Sequence, residues 1–375
     1  MLIQPNFKMK TIKTVLCLAA AMAAIGCERD KAPSSDRVNV EFNNSITPLS
    51  KVAKSVYLLA LESDEEHLVG SMADMIVTED SYVIIDGQNG NIFRYTLDGR
   101  FANRIGRRGN GPEEYVHIND VQYKDSSLYV FSVPSKILRY SMDGTILKTQ
   151  TVDNPELGVM SWLTSEGVLT YYGYGSGREG RFALLSGESN KIFYPSDEKV
   201  MNMTPATQIF TASGDSVFVV DSYSDVIKVY SAGMMYDGQS FDFGNYAIPD
   251  SFYKQDDPFI AMDALLGSEF ATINRYLCDK DKRLLQVNVQ KGMDLISYCG
   301  LYSDGGWIWF GTGKPESDIL AGSFCQIKDN VLYCLLDPSL TSSYPTSLRR
   351  LTMNPEVLDS TSEDDNYIVA KIRLE

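Results

Sequence analysis

A short turn followed by a β-rich run recurs six times along this chain, and this repeat constrains the fold more than any other feature. Glu79–Asp86 and Lys124–Phe131 are two examples, each with Asp and Ser in the turn. The first apolar residue after each turn lies at position 82, 128, 168, 217, 284 or 331, which gives spacings of 46, 40, 49, 67 and 47 residues. Four-stranded propeller blades repeat at this period. The longest interval contains an extra segment around residues 245–268.

The second halves of the first two repeats also match. Asn91–Gly99 aligns with Lys136–Gly144, and both end in Asp-Gly, a pair that suits a tight hairpin turn. Each repeat therefore contains four strands, here lettered a to d, with Asp-Gly between strands c and d. The sequence predicts an all-β fold, a six-bladed β-propeller of four-stranded blades over residues 51–375. The alternative is a β-sandwich with evenly spaced hairpins.

Ring closure depends on the last repeat, because an open ring would expose unpaired strand edges. This repeat supplies only three strands, and its third strand, Tyr367–Leu374, follows a polar and partly helical stretch over residues 338–365. An unassigned strand, Val56–Leu61, precedes the first repeat. We predict that it is the fourth strand of the last blade.

The first 26 residues are typical of an export signal. Three lysines and no acid precede an apolar run of twelve residues, Thr14–Ile25, which is too short to span a bilayer. Small residues then lead to Cys27, as in a bacterial lipobox. We expect residues 1–26 to be a lipoprotein signal peptide, Cys27 to be lipidated, and residues 27–50 to be the lipidated tether. The alternative is an ordinary secreted protein in which Cys27 is incidental.

The charge of the chain excludes some classes of partner. The formal net charge is -15 and becomes -18 once the three signal-peptide lysines are removed. Binding to nucleic acid depends on Lys and Arg neutralising phosphates, so we expect no nucleic-acid partner. We expect the membrane to be contacted through the lipid anchor.

The most distinctive segment, Ile105–Tyr115, reads Ile-Gly-Arg-Arg-Gly-Asn-Gly-Pro-Glu-Glu-Tyr. With the Asp-Gly before it, the segment resembles the six-bladed β-propeller lipoproteins of Bacteroidota, which are related to NHL-repeat and TolB-like propellers. The resemblance covers roughly residues 46–375, and Glu113 stands where the family usually has Gly. It implies the propeller fold and a cell-envelope, outer-membrane location, either periplasmic or surface-facing, and no established reaction.

This crossing loop, Ile105–Tyr115, joins blade one to blade two on the face that we call the top. The top face carries the connections from strand d to the next strand a and from strand b to strand c. Successive glycine amides can form an anion nest, which arginines would strengthen. The candidate ligand or partner residues are therefore Arg107, Arg108, Asn110, Glu113, Glu114, Tyr115 and His117. The alternative is a tight crossing whose Glu114 and Tyr115 only bond across the loop.

Two further top-face connections, residues 173–179 and 222–225, are rich in Gly, Ser and Tyr and suit adaptable recognition. Trp307 and Trp309 alternate along one strand and form a candidate aromatic platform, although packing between blades would also explain them.

Cys325 and Cys334 flank the Asp329-Asn330 turn. A two-residue hairpin would place them opposite each other as a possible disulfide, with two buried free thiols as the alternative.

Signals for catalysis are few. The two histidines, His67 and His117, have no neighbouring ligands at metal-site spacing, and no Gly-x-Ser-x-Gly motif is present. The sequence predicts no metal and no cofactor. We expect a lipid-anchored binding or scaffold protein that recognises an envelope protein, peptide or glycan on its top face. The alternatives are a propeller enzyme, a hydrolase or lyase with a site at the channel mouth, and a structural subunit of an envelope complex.

Overall fold

All six predicted turn-and-run segments form the second strands of six antiparallel sheets. The computed structural model describes residues 37–42, 48–133, 135–152, 156–187, 189–196, 199–200, 206, 208–291, 294–310, 320 and 322–375. The predicted signal peptide and Cys27 lie outside these residues. The compact unit that contains the repeats runs from Val38 to Glu375.

Two strands precede the repeats, namely β1 (Val38–Asn39) and β2 (Ala53–Ala60). Blade one contains β3 (Ala73–Val77), β4 (Ser81–Asp86), β5 (Asn91–Thr96) and β6 (Phe101–Arg104). Blade two contains β7 (Asp120–Lys124), β8 (Ser127–Ser132), β9 (Lys136–Ser141) and β10 (Ile146–Thr151). Blade three contains β11 (Met160–Leu163), β12 (Val168–Tyr171), β13 (Gly180–Leu185) and β14 (Asn190–Pro195).

The second half of the ring follows the same plan. Blade four contains β15 (Phe210–Ser213), β16 (Ser216–Val219), β17 (Val226–Ser231) and β18 (Met234–Asp242). Blade five contains β19 (Ala271–Asp279), β20 (Lys282–Lys291), β21 (Asp294–Ser303) and β22 (Gly306–Phe310). Blade six contains β23 (Ser323–Lys328), β24 (Val331–Leu336), β25 (Ile368–Leu374) and, from the other end of the repeats, β2.

The predicted closure of the ring is confirmed. Strand β2 pairs antiparallel with β25 along its whole length, with Val56 opposite Ile372 and Leu58 opposite Ala370. Both Val56 and Leu58 are buried. The short β1 adds a parallel edge strand to the outside of blade four, next to β18.

Apolar side chains from adjacent blades form the core. One cluster lies between blades one and two and contains Ile92 of β5. Tyr95 of the same strand points to the other face of blade one and packs in the cluster shared with blade six. Blades five and six share another cluster, which contains Leu284 and Leu332. Each blade is buried on both faces by its neighbours, which explains the nearly continuous apolar runs of the second strands.

The two ends of the ring differ in their connections. The a-to-b and c-to-d connections on the bottom are tight turns, such as Asp125-Ser126 and Asp329-Asn330, where all four residues have positive φ. The Asp-Gly turns place Gly99 and Gly144 at positive φ, close to carbonyl oxygens of the preceding blade's outer strand. The predicted tight turns at the Asp-Gly pairs, between the third and fourth strands of blades one and two, are therefore confirmed.

The two longest connections, from β18 to β19 and from β24 to β25, leave from and return to the top face, and they contain the α-helices that the structure describes. The segment between β18 and β19 contains 3₁₀ turns at Gly244–Tyr246 and Phe252–Lys254 and helix α1 (Pro258–Gly267). The segment between β24 and β25 contains a 3₁₀ turn at Pro338–Ser343 and helices α2 (Thr346–Arg349) and α3 (Glu356–Ser360). A further 3₁₀ turn, Leu49–Lys51, precedes β2. Among the described residues, no helix has the length and apolar content needed to cross a bilayer.

Candidate functional site

The crossing loop, Ile105–Tyr115, is closed on itself by Glu114. The Glu114 carboxylate accepts hydrogen bonds from the Gly111 amide at 2.9 Å and from Arg107 Nε at 2.6 Å. These two groups hold the pKa of the Glu114 carboxyl below its usual range. A Cβ atom on Gly109 would lie only 2.0 Å from Glu114 Oε2, so this approach requires glycine. The predicted anion nest is thus filled by the loop's own carboxylate.

Blade two fixes the other side of this loop. Lys136 Nζ donates to the carbonyl oxygens of Gly111 and Glu114 at 2.7 and 3.1 Å, and Tyr140 Oη donates to Glu113 O at 2.8 Å. Tyr115 is fully buried, and its ring lies against Gly106. These contacts are those of the alternative interpretation, a tight crossing between blades.

The remaining candidates of this loop lie on the surface. The side chains of Arg108, Asn110, Glu113 and His117 are exposed, and Arg107 is 75% exposed while it binds Glu114. Ligand binding by this exposed rim stays a prediction. The other histidine, His67, is buried and stacks on Phe101 with ring centroids 4.1 Å apart.

The two tryptophans lie between blades four and five. Trp307 and Trp309 stack with centroids 5.6 Å apart, and Trp307 meets Phe241 of blade four edge-to-face at 5.4 Å. Trp309 is only 8% exposed, and the absence of a side chain at Gly300 makes room for its ring. These are the packing contacts that the sequence allowed as the alternative to a platform.

The predicted pairing of Cys325 with Cys334 is wrong. The hairpin has the expected register up to Gln326 opposite Tyr333, but a bulge at Cys325 then places Phe324 opposite Cys334. Cys325 therefore points toward blade one and Cys334 toward blade five. Both are buried free thiols, as are Cys278 and Cys299.

The segment between β18 and β19 covers the two Gly-, Ser- and Tyr-rich top-face connections. Tyr174 and Tyr223, one from each connection, are buried with Phe252 and Leu265 of that segment. Tyr253 Oη donates to Tyr223 O at 2.6 Å. The insertion that lengthened the fourth repeat interval thus caps the top of blades three and four.

A central cavity of about 490 Å³ lies among the first strands of all six blades. Asp74 and Asp120 both line it, and Arg275 of blade five donates from Nη2 to Asp74 Oδ2 at 3.0 Å. Arg275 also donates to the Phe324 carbonyl, so it connects blades five, six and one. The Asp74–Arg275 pair neutralises one of the three described carboxylates that line this cavity, which are Asp74, Asp120 and Asp279.

Among the residues that the structure describes, no cation forms an ion pair with Asp120. Its Oδ1 atom accepts from the Val121 amide at 2.8 Å. Burial raises the pKa of Asp120 to about 8, and Asp74 adds to the rise, against the lowering effect of the Val121 amide. At neutral pH Asp120 is therefore mostly a neutral acid that can donate a proton or a hydrogen bond. Burial also raises the pKa of the Cys325 thiol, which lines the same cavity beside Asp74, and this keeps it from acting as a thiolate.

A second cavity, which we call the amide cleft, lies at the top of blade five and has a volume of about 380 Å³. Three amide side chains at alternate positions of β20, Gln286, Asn288 and Gln290, lie along it with Ser297 of β21. Leu266 of α1 lines the opposite side. The cleft exists because β19, β20 and β21 have 9, 10 and 10 residues, while β23 and β24 of blade six have 6 each.

Among the described residues, no group of three or more His, Cys, Asp or Glu side chains is arranged to hold a metal ion. The family model described as Domain of unknown function (DUF4934) matches residues 36–373. The chain belongs to the DUF4934 family. A comparison with curated proteins gave no match.

Two solved structures share the fold of this DUF4934 chain. A protein from Bacteroides fragilis described as exported is 17% identical, with a TM-score of 0.73, and the match covers 91% of this chain and 99% of that one. A member of the DUF4221 family from Bacteroides vulgatus is 11% identical, with a TM-score of 0.55, and the match covers 85% and 98%. These similarities agree with the predicted propeller.

Sequence reasoning missed the polar residues of both cavities of the DUF4934 chain. Asp74 and Arg275 are 201 positions apart, and the fold alone brings them together. The amide cleft had a weak signal, because Gln286, Asn288 and Gln290 occupy alternate positions of one strand.

Proposed function

We propose that this chain is a lipid-anchored protein of the bacterial outer membrane that binds an envelope protein, peptide or glycan through the top face of its propeller. The amide cleft carries this proposal, because it is a cavity on the face where the chain departs most from its six-fold plan. Long connections on a rigid scaffold are where binding residues concentrate. The exported protein of the same fold supports the location.

The anchor is tested by replacing Cys27. We expect the wild-type chain to fractionate with membranes and the Cys27→Ser variant to be soluble in the periplasmic fraction, because acyl chains hold a protein on a bilayer. Unchanged membrane fractionation of the variant would refute lipidation at this position.

Binding is tested with a photo-crosslinking residue at the rim of the amide cleft. Leu266, which is 37% exposed, is replaced by the crosslinker, and the matched control carries the crosslinker at Leu147, which is 51% exposed on the outer strand of blade two. After irradiation of intact cells, we expect adducts at position 266 and none at position 147. Equal adducts at both positions, or none at 266, would refute a specific top-face site.

Asp120 favours a second candidate function, a hydrolase or lyase that uses the central cavity. A carboxyl group with a pKa near the working pH is suited to general acid catalysis. The test is a screen of chromogenic glycoside and ester substrates with the wild-type chain and the Asp120→Asn variant. Turnover by the wild-type chain that the variant lacks would support this candidate, and equal turnover by both would exclude it.

A further inference from the structure

The amide cleft holds polar side chains that can both donate and accept hydrogen bonds. Ser297 Oγ donates to Asn288 Oδ1 at 2.7 Å, and Gln286 Nε2 donates to Ser297 Oγ at 3.5 Å. The shorter of these bonds orients the Asn288 amide. Among the described residues, they leave the Asn288 amide nitrogen and the Gln286 amide oxygen without a partner. The cleft therefore presents one free donor and one free acceptor on neighbouring side chains.

The lining of the cleft carries no charge. None of the eleven described residues that form it has a titratable side chain. An anionic ligand would lose its hydration there without gaining a cation, which is unfavourable. The net charge of -15 for the whole chain further disfavours anions. A neutral ligand is the class that this lining fits.

The cleft lies on the face of a sheet, and this excludes the usual way of binding an extended peptide. Strand β20 is paired on both sides, with β19 and β21, so its backbone groups are already used. A peptide that adds to a sheet needs an unpaired strand edge. What β20 offers is a row of three amides about 13 Å long, at alternate positions of the strand. Apolar surface flanks this row, from Leu266 and from the half-exposed Leu295.

We propose that the amide cleft binds a neutral saccharide. This inference rests on the proposed function, since it names the ligand class of the same top-face site. Vicinal hydroxyl groups both donate and accept, and so match the free Asn288 nitrogen and Gln286 oxygen. The less polar face of a sugar ring packs against the flanking leucines, while the half-buried amide side chains face its hydroxyl groups.

The experiment measures binding of the full chain to immobilised neutral gluco-, manno-, galacto- and xylo-oligosaccharides and to matched oligosaccharides that carry uronate or sulfate groups. We expect at least one neutral oligosaccharide to bind better than every charged one. Asn288→Leu and Gln286→Leu should each weaken that binding tenfold or more. The control is Gln150→Leu, which removes an exposed amide from the outer strand of blade two and should leave binding unchanged.

Thermal unfolding of each variant checks that the chain is folded, and Gln290→Leu gives a third, independent test of the same row. Stronger binding to the charged set, or neutral binding that none of the three cleft variants weakens, would overturn the saccharide proposal. If no saccharide binds while the crosslinker at Leu266 still captures a partner, the saccharide proposal fails and the proposed function stands. If neither is observed, both fail.

Discussion

Asp120 should make the protein less stable as the pH rises from 5 to 8. Its pKa in the folded chain is raised to about 8, against an ordinary value of 3.8. Between these two values the folded chain holds a proton that the unfolded chain has lost. The free energy of unfolding therefore falls with rising pH, by about 1.4 kcal/mol per pH unit for a single group.

The Asp120→Asn variant removes this dependence while keeping the oxygen that accepts from the Val121 amide. Over the three units from pH 5 to pH 8, the free energy of unfolding of the variant should rise relative to wild type by about 4 kcal/mol. Below about pH 3 and above about pH 9 the difference should be flat, because the protonation of Asp120 then matches in the folded and unfolded chains. The other groups cancel in this comparison, apart from the neighbouring Asp74 and its partner Arg275.

Urea unfolding followed by tryptophan fluorescence at each pH unit from 4 to 9 measures this difference. The matched control is Asp143→Asn in the turn between β9 and β10. Hydrogen bonds, the largest contribution coming from the Ser141 hydroxyl, lower the pKa of Asp143 to about 2, so that it is ionised in both states from pH 5 to 9. A difference between Asp120→Asn and wild type that stays flat from pH 5 to 8 would refute a neutral carboxyl in the central cavity.

Three further changes test the packing. Gly300→Ala should destabilise the protein by roughly 1–3 kcal/mol in urea unfolding, because the new Cβ would lie 2.5 Å from the Trp309 ring. The control Gly267→Ala should be tolerated, because no atom lies within 4 Å of the new Cβ. Leu58→Ala in the closing strand should lower the free energy of unfolding by about 2–5 kcal/mol, because Leu58 is buried. Leu97→Ala, at an exposed position, should lower it by less than about 0.5 kcal/mol. Equal effects would argue against ring closure by β2. In a chain with Cys17 and Cys27 changed to Ser, a thiol reagent should count four thiols after denaturation, with or without prior reduction, and a lower count without reduction would indicate a disulfide.

The second strands were predictable because each is buried between two blades and follows a tight turn. The closing strand was predictable for a related reason, since Val56–Leu61 is an apolar run that no other repeat needs. The disulfide prediction failed at one residue. A bulge at Cys325 reverses the direction of its side chain, and nothing in the neighbouring sequence signals that bulge.

The contents of the central cavity could not be read from the sequence. Asp74, Asp120 and Arg275 each stand on a different first strand, and none of them belongs to a recognisable motif. Their chemistry depends on distance, because Arg275 neutralises Asp74, whereas no cation among the described residues pairs with Asp120. Closure of the ring brings these three residues together, and the order of residues along the chain does not show that they are close.

The amide cleft differs from a surface that is merely exposed to water. Strands β19, β20 and β21 extend above blade six, and the two faces of this extended part of blade five show the difference. One face must be covered, because Val289, Ile296 and Tyr298 are apolar, and Phe42 and Tyr246 pack over it. The other face rises above blade six, and no strand among the described residues covers it. A face selected only for solubility is usually rich in Lys and Glu, which stay hydrated and oppose aggregation. Amides and hydroxyls at every polar position of this face instead keep hydrogen-bonding capacity while avoiding charge, which is the property that a neutral, hydroxyl-rich ligand requires.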